Sequence, residues 1–139
     1  MSLSIRNQIA GTVTSVTTGE AMAAVKVRLE GGQDITAAIT AEAVKDLGLD
    51  TGTAVKALVK ATEVALATAP VENISIRNQI SGTVVDVSAG PAMAAVRVDV
   101  DGGGLTAAVT ADAVAALGLS AGSSVVALIK STEISLATA

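Results

Sequence analysis

The sequence predicts an all-β protein made of two tandem five-stranded β-barrels, each with a short helix between its third and fourth strands. Three features carry that prediction: a sequence written twice, short runs of alternating apolar residues, and one capped helical segment per copy. Ser4-Ile5-Arg6-Asn7-Gln8-Ile9 recurs as Ser75-Ile76-Arg77-Asn78-Gln79-Ile80, 71 residues later. After Gly31-Gly32 and Gly102-Gly103 the offset falls to 70, so the second copy has lost one loop residue. Aligned at these offsets, 39 of 64 positions agree between residues 4–33 and 35–68 and their copies at 75–104 and 105–138, which marks a duplication. Two units are too few for a stacked solenoid. A pair of barrels fits, one over residues 1–69 and one over 70–139, with Pro70 stopping the strand before it.

Within the first unit, Ile5, Asn7, Ile9, Gly11 and Val13 alternate along the first strand. On the second, Ala23, Val25, Val27 and Leu29 share one face, with Lys26 and Arg28 opposite. Ile35, Ala37 and Ile39 mark the third. Thr40 is placed to cap a helix running to Leu47, with Glu42 near its positive end and Gly48 as its stop. Val55, Ala57 and Val59 face inward on the fourth strand, and the fifth follows Thr62. Five strands with a helix between the third and fourth is the order of an OB-type barrel. The sequence leaves open whether strands are exchanged between the two barrels or between subunits.

Composition narrows the function. Half of the 139 residues are apolar, but none is Phe, Tyr or Trp. Such cores lack the area an aromatic ring buries, and small domains of this kind gain from oligomerising. With no Cys there is no disulfide or thiolate chemistry, and with no His the commonest general base and metal ligand are missing. The formal net charge of −4 speaks against a generic nucleic-acid or membrane-surface binder. OB barrels that bind single strands stack bases on aromatic side chains, and there are none here. No secretory signal pattern is evident, and the apolar run 54–66 is broken by Lys56, Lys60 and Glu63 and is too short to span a bilayer. The expectation is a soluble cytoplasmic protein without nucleic-acid or membrane partners.

Catalysis has no clear candidates. Glu30, Asp34, Asp50 and Asp101 sit beside predicted turns, where solvated carboxylates are the simplest reading. The Gly pairs lack the following helix and Lys of a phosphate loop, so hairpin turns fit them better. What recurs is Ser-Ile-Arg-Asn-Gln near each unit's start and Lys-Ala/Ser-Thr near its end. These supply hydroxyl, guanidinium, amide and ammonium donors, which suit a tetrahedral dianion offering only acceptor oxygens. The competing reading, which chemistry alone leaves open, makes Arg6 and Lys60 exposed strand charges and Asn7 a turn residue.

The pattern Ser-x-Arg-Asn-x-x-x-Gly-x-Val at residues 4–13 and 75–84 resembles the start of the molbindin (Mop, TOBE-like) module. Gly19-x-Ala21-Met22-Ala23-Ala24-Val25, Thr40-x-Glu42-Ala43-Val44, Leu47-Gly48-Leu49 and Val59-Lys60-Ala61-Thr62-Glu63 continue the resemblance, and each recurs in the second copy. Similarity to tandem Mop proteins implies OB-type barrels and binding of molybdate or tungstate as ligand, with no cofactor, no resident metal and no enzymatic activity. It implies intracellular storage and homeostasis of the oxyanion by a homotrimer with sites at subunit interfaces. By matching position, the oxyanion contacts fall on Ser4, Ile5, Arg6, Asn7, Lys60 and Ala61, and on Ser75, Ile76, Arg77, Asn78, Lys130 and Ser131. Gly19, Ala21 and Met22, with Gly90, Ala92 and Met93, are further candidates. Two departures stand out: Met-Ala replaces a commoner Val-Asn in each loop, and Ala43 and Ala113 stand where relatives often have a hydroxyl. Two other readings fit the same residues: a ligand-sensing regulatory module of a molybdate or sulfate system, and a scaffold without ligand. Between the copies, Ser131 in place of Ala61 adds a hydroxyl donor, which predicts tighter binding in the second unit.

Overall fold

The structure is a computed structural model that describes residues 3–138. The first repeat forms β1 (Asn7–Thr18), β2 (Met22–Leu29), β3 (Asp34–Thr40), helix α1 (Ala41–Leu47), β4 (Ala54–Val59) and β5 (Ala65–Ala67). The second forms β6 (Asn78–Ala89), β7 (Met93–Val100), β8 (Gly103–Thr110), helix α2 (Ala111–Leu117), β9 (Ser124–Ile129) and β10 (Ser135–Thr138). A 3-10 turn precedes each closing strand, at Ala61–Glu63 and Ser131–Glu133. Two curled five-stranded antiparallel sheets result, matching the tandem OB-type barrels expected.

The alternation along β2 becomes burial. Ala23, Val25, Val27 and Leu29 are buried, and Lys26 and Arg28 on the other face are exposed. A fully buried Val or Leu contributes about 1.5–3 kcal/mol, so many small contributions replace the missing aromatics. β1 and β6 are 12 residues each and do not run straight: the register with β2 shifts between Val13 and Ser15, and with β7 between Val84 and Asp86. Such bulges bend the strand and raise its twist, allowing one long strand to serve a curled sheet. At Gly11 a Cβ would lie 2.7 Å from the Arg28 carbonyl oxygen, so only glycine allows that approach. The helix ends follow expectation. Thr40 Oγ1 accepts from the Ala43 N–H at 3.1 Å, and Gly48 closes the helix with φ 62°. β1 begins at Asn7 rather than Ile5, and just ahead of it Arg6 donates to the carbonyls of Leu3 and Ser4.

The sheets are not built one per repeat. Their strand orders are β10-β4-β1-β2-β3 and β5-β9-β6-β7-β8, so each takes its fifth strand from the other repeat. β10 pairs with β4 through Ser135 opposite Leu58, and β5 pairs with β9 through Ala65 opposite Leu128. Two buried amides reinforce the exchange. Asn7 Nδ2 donates to the Thr106 carbonyl at 2.9 Å, while its Oδ1 accepts from the Thr106 N–H at 2.7 Å. Asn78 treats Thr36 in the same way, at 2.9 and 2.8 Å. Each side chain thus stands in for a strand neighbour and ties the start of one sheet's long strand to the other sheet's third. The β2–β3 and β7–β8 hairpins also meet: Gln33 Nε2 donates to the Asp101 carbonyl at 2.9 Å, and Gly31 packs directly on the Asp101 backbone.

Candidate oxyanion-binding site

Strand register builds the donor cluster. Asn7 pairs with Val59, which brings Arg6, one residue before, beside Lys60, one residue after. Asn78 pairs with Ile129 and does the same for Arg77 and Lys130. Both lysines are exposed and sit at the entry of a 3-10 turn that Ala61 or Ser131 opens. The leading N–H groups of a helical turn have no partner inside it, so these positions present backbone donors next to the ammonium. The turns cross to the opposite sheet, Ala61–Glu63 against β8 and Ser131–Glu133 against β3.

The predicted residues differ in what they have free. Ser4 and Ser75 are exposed, and Ile5 and Ile76 are half-buried just ahead of the long strands. Arg6 is exposed but engaged: its Nε donates to the Ser4 carbonyl at 3.2 Å and its Nη2 to the Leu3 carbonyl at 2.9 Å. Asn7 and Asn78 are buried, 2% and 3% exposed, and their amides hold the opposite sheet. One amide hydrogen of Asn78 remains, and it reaches Ser131 Oγ at 3.4 Å. The Ser131 hydroxyl is therefore turned inward to Asn78, an orientation sequence reasoning did not anticipate. Gln79, absent from the expected set, clamps the segment ahead of Arg77 by bonding both the N–H and the carbonyl of Val71.

A cavity of about 310 Å³ beside Lys130 is lined by Ile76, Leu128, Ala108 and Val109 together with residues 62–65 of the first repeat. Arg77 faces a neighbouring hollow of about 440 Å³ with Val71, Glu72, Asn73 and Gln79, and Ile76 borders both. A larger cavity, about 470 Å³, lies over Gly11, Leu29 and Val55. None of its lining residues belongs to the donor cluster, and its Arg28 is tied to Asp34 at 2.9 Å. Size alone does not mark the site here. A dianion needs donors, and the repeated cations lie where the β1–β4 and β6–β9 pairings end, Arg6 with Lys60 and Arg77 with Lys130.

Gly19, Ala21, Met22 and their copies Gly90, Ala92 and Met93 lie at the far end of the long strands, so the chain does not bring them into these clusters. They are organised all the same: the Gly19 N–H bonds the Met22 carbonyl and the Ala41 N–H bonds the Ala21 carbonyl, linking the hairpin to the helix start. Met22 and Met93 are about half exposed, 48% and 49%, and Leu47 and Leu117 at the helix ends are also exposed. Among the described residues no group of acidic side chains is arranged to hold a metal ion. No helix among them is long and apolar enough to cross a membrane.

Residues 3–66 and 74–136 each match the TOBE domain. The chain belongs to the TOBE domain family. Both copies of this tandem TOBE protein cover the donor clusters. The molybdenum transport protein ModE of Azotobacter vinelandii is 39% identical over 99% of the chain, which spans 51% of that protein. The molybdenum-pterin-binding protein MopB of Rhodobacter capsulatus is 41% identical over 96% of the chain and 50% of its own length. The chain thus spans about half the length of these curated relatives. A solved structure of ModG, described as a cytoplasmic molybdate-binding protein and determined with molybdate bound, superposes with a TM-score of 0.97 at 38% identity, covering all of both chains. These relatives are described as transport or binding proteins, not as enzymes.

Proposed function

We propose that this tandem TOBE protein binds molybdate, with tungstate as its close analogue, and holds it inside the cell as a store rather than transforming it. The observation that carries this reading is the full-length match to molybdate-bound ModG, combined with two Arg–Lys clusters that strand register assembles in this chain. The contacts fall on Ser4, Ile5, Arg6, Lys60 and Ala61 and on Ser75, Ile76, Arg77, Lys130 and Ser131. Asn7 and Asn78 serve chiefly to fix these segments, since their amides are occupied by Thr106 and Thr36. Charged donors in a fixed frame suit an oxyanion that presents only acceptors.

The assembly is a homotrimer in this reading, with sites completed at subunit contacts. The exposed Met22, Leu47, Met93 and Leu117 supply apolar surface for such contacts, placed equivalently in both repeats. Calorimetric titration with molybdate, tungstate and sulfate, alongside the mass in solution, tests both parts. Saturable molybdate binding at more than one ion per chain or shared interface is expected. A flat molybdate isotherm overturns the binding function, and a monomer at micromolar concentration with molybdate present overturns the assembly. A second reading, a ligand-sensing module within a transport or regulatory system, is favoured by the match to about half of ModE. Co-purification of a partner only when molybdate is present would select it.

A further inference from the structure

Strand exchange places a carboxylate from one repeat against the donor cluster of the other. β5 runs antiparallel to β9 with Ala65 opposite Leu128; Glu63 ends the turn two residues before Ala65, and Lys130 follows Leu128 by two. Glu63, Lys130 and Ile76 line the same cavity of about 310 Å³. Thr62, Ala108, Val109 and Leu128 bring no further charge to that wall, and Arg77 lines the adjoining hollow that shares Ile76. The same spacing recurs on the other side, where Ser135 lies opposite Leu58, Glu133 ends the turn two residues before Ser135 and Lys60 follows Leu58 by two. Neither glutamate forms an ion pair among the described residues, whose salt bridges are Arg28–Asp34 and Arg97–Asp86. Glu63 thus shares the cavity with Lys130 without closing an ion pair to it, and its charge acts on an anion that enters.

We propose that Glu63 is a specificity-determining residue of the Lys130 site: an electrostatic brake, supplied by the opposite repeat, that weakens anions in proportion to their charge. The inference rests on the oxyanion-binding reading above. Arg77 and Lys130 bring two positive charges to the site and Glu63 subtracts one, so a dianion is held but not fully compensated. Binding stays reversible, and the repulsive energy on a dianion is twice that on a monoanion of the same shape because Coulomb energy scales with the product of charges. Because Glu63 lies in the first repeat and Lys130 in the second, the brake works only in the exchanged arrangement.

The test is titration of the full chain with molybdate, a tetrahedral dianion, and perrhenate, a tetrahedral monoanion. Glu63→Gln keeps the side chain's shape and removes its charge. It is expected to tighten molybdate at one class of site by about tenfold and perrhenate by about threefold, the two factors following the charge ratio. Glu42→Gln, an exposed carboxylate on α1 outside the cavity, controls for net charge and should leave both isotherms unchanged. Glu63→Lys should tighten molybdate further still. Unchanged or weaker molybdate binding in Glu63→Gln overturns the brake, as does an equal gain in Glu42→Gln or an equal gain for both anions. A wild-type chain that binds no molybdate removes the oxyanion reading and this inference together, and is told apart by its own flat isotherm.

Discussion

The two repeats share a plan and differ in charge and in one loop. Residues 1–69 hold six basic and seven acidic side chains, whereas 70–139 hold three and six. The exposed Arg28 becomes the exposed Asp99, and the exposed Lys56 becomes the buried Val126. The first repeat keeps Gln33 in its β2–β3 hairpin and reaches across to Asp101, while the shorter β7–β8 hairpin receives that contact. Against this drift the Arg–Lys clusters, the buried asparagines and the helix caps are retained in both copies. At positions 28 and 99 the solvent-facing side of the second strand tolerated a reversal of charge. The asparagine ties between the repeats are kept, since a change there must satisfy both sheets at once.

Removing the asparagine ties should show how alike the two crossings are. Asn7→Ala and Asn78→Ala each leave an N–H and a carbonyl of the opposite sheet without their partner, costing about 2–6 kcal/mol at roughly 1–3 kcal/mol per buried group. Thermal unfolding should shift down on the order of 10 °C in either variant. A large effect at one position and none at the other would break the symmetry claimed for the exchange.

Arg6→Ala and Arg77→Ala compare the clusters themselves. Hydrogen bonds to charged groups contribute roughly 1.5–3 kcal/mol, so each variant should lose about ten- to a hundredfold in molybdate affinity at one class of site. The double variant should lose both classes. If it titrates like the parent, the clusters are not the site.

The hairpins offer a sharper contrast. A Cβ at Gly31 would run into the Asp101 backbone, whereas one at Gly103 meets nothing within 4 Å. Gly31→Ala should therefore destabilise by about 1–3 kcal/mol, as overpacking does. Gly103→Ala should be neutral within about 0.5 kcal/mol in denaturant unfolding. Equal effects would mean the hairpin contact is not held in solution.

The Ala61/Ser131 difference is expected to matter less than its chemistry suggests. The hydroxyl faces Asn78 at 3.4 Å, a long contact, so Ser131→Ala should change molybdate affinity by no more than about threefold. A hundredfold loss would show that the hydroxyl turns to the anion on binding. Smallest of all is the Arg28–Asp34 pair, which has no counterpart between positions 99 and 104. Its hydrogen bond to Arg28 holds the Asp34 carboxyl below the usual carboxylate range. Such a depressed group stabilises above its ordinary pKa and loses that contribution as pH falls through the lowered value. Both side chains are well exposed, so Asp34→Asn should leave the unfolding midpoint at neutral pH unchanged and only flatten its acid side.

Much of this architecture was legible in the chain. The period-two pattern of Ala23, Val25, Val27 and Leu29 assigned the face of β2, and Thr40 and Gly48 delimited the helix, because caps and alternation are local rules acting over a few residues. The Arg6–Lys60 pairing was also within reach once Asn7 and Val59 were placed on neighbouring strands. Three things were not. Asn7 reads as a turn or ligand residue, yet its partner is Thr106, almost a hundred positions away. Ser131 reads as a free donor, yet its direction depends on Asn78. Glu63 carries no motif of its own and matters only through Lys130.

The sequence by itself determined the strands, the capped helices, the duplication and the identity of the donors, since each depends on side-chain chemistry within one element. Only the tertiary structure decided which repeat completes which sheet. A closing strand satisfies the same backbone hydrogen bonds and buries the same apolar face whether it folds back onto its own repeat or crosses to the other. With near-identical copies, no local preference separates the two choices. The crossing is fixed by contacts between distant residues, Asn7 with Thr106 and Asn78 with Thr36, and those exist only once both sheets are in place.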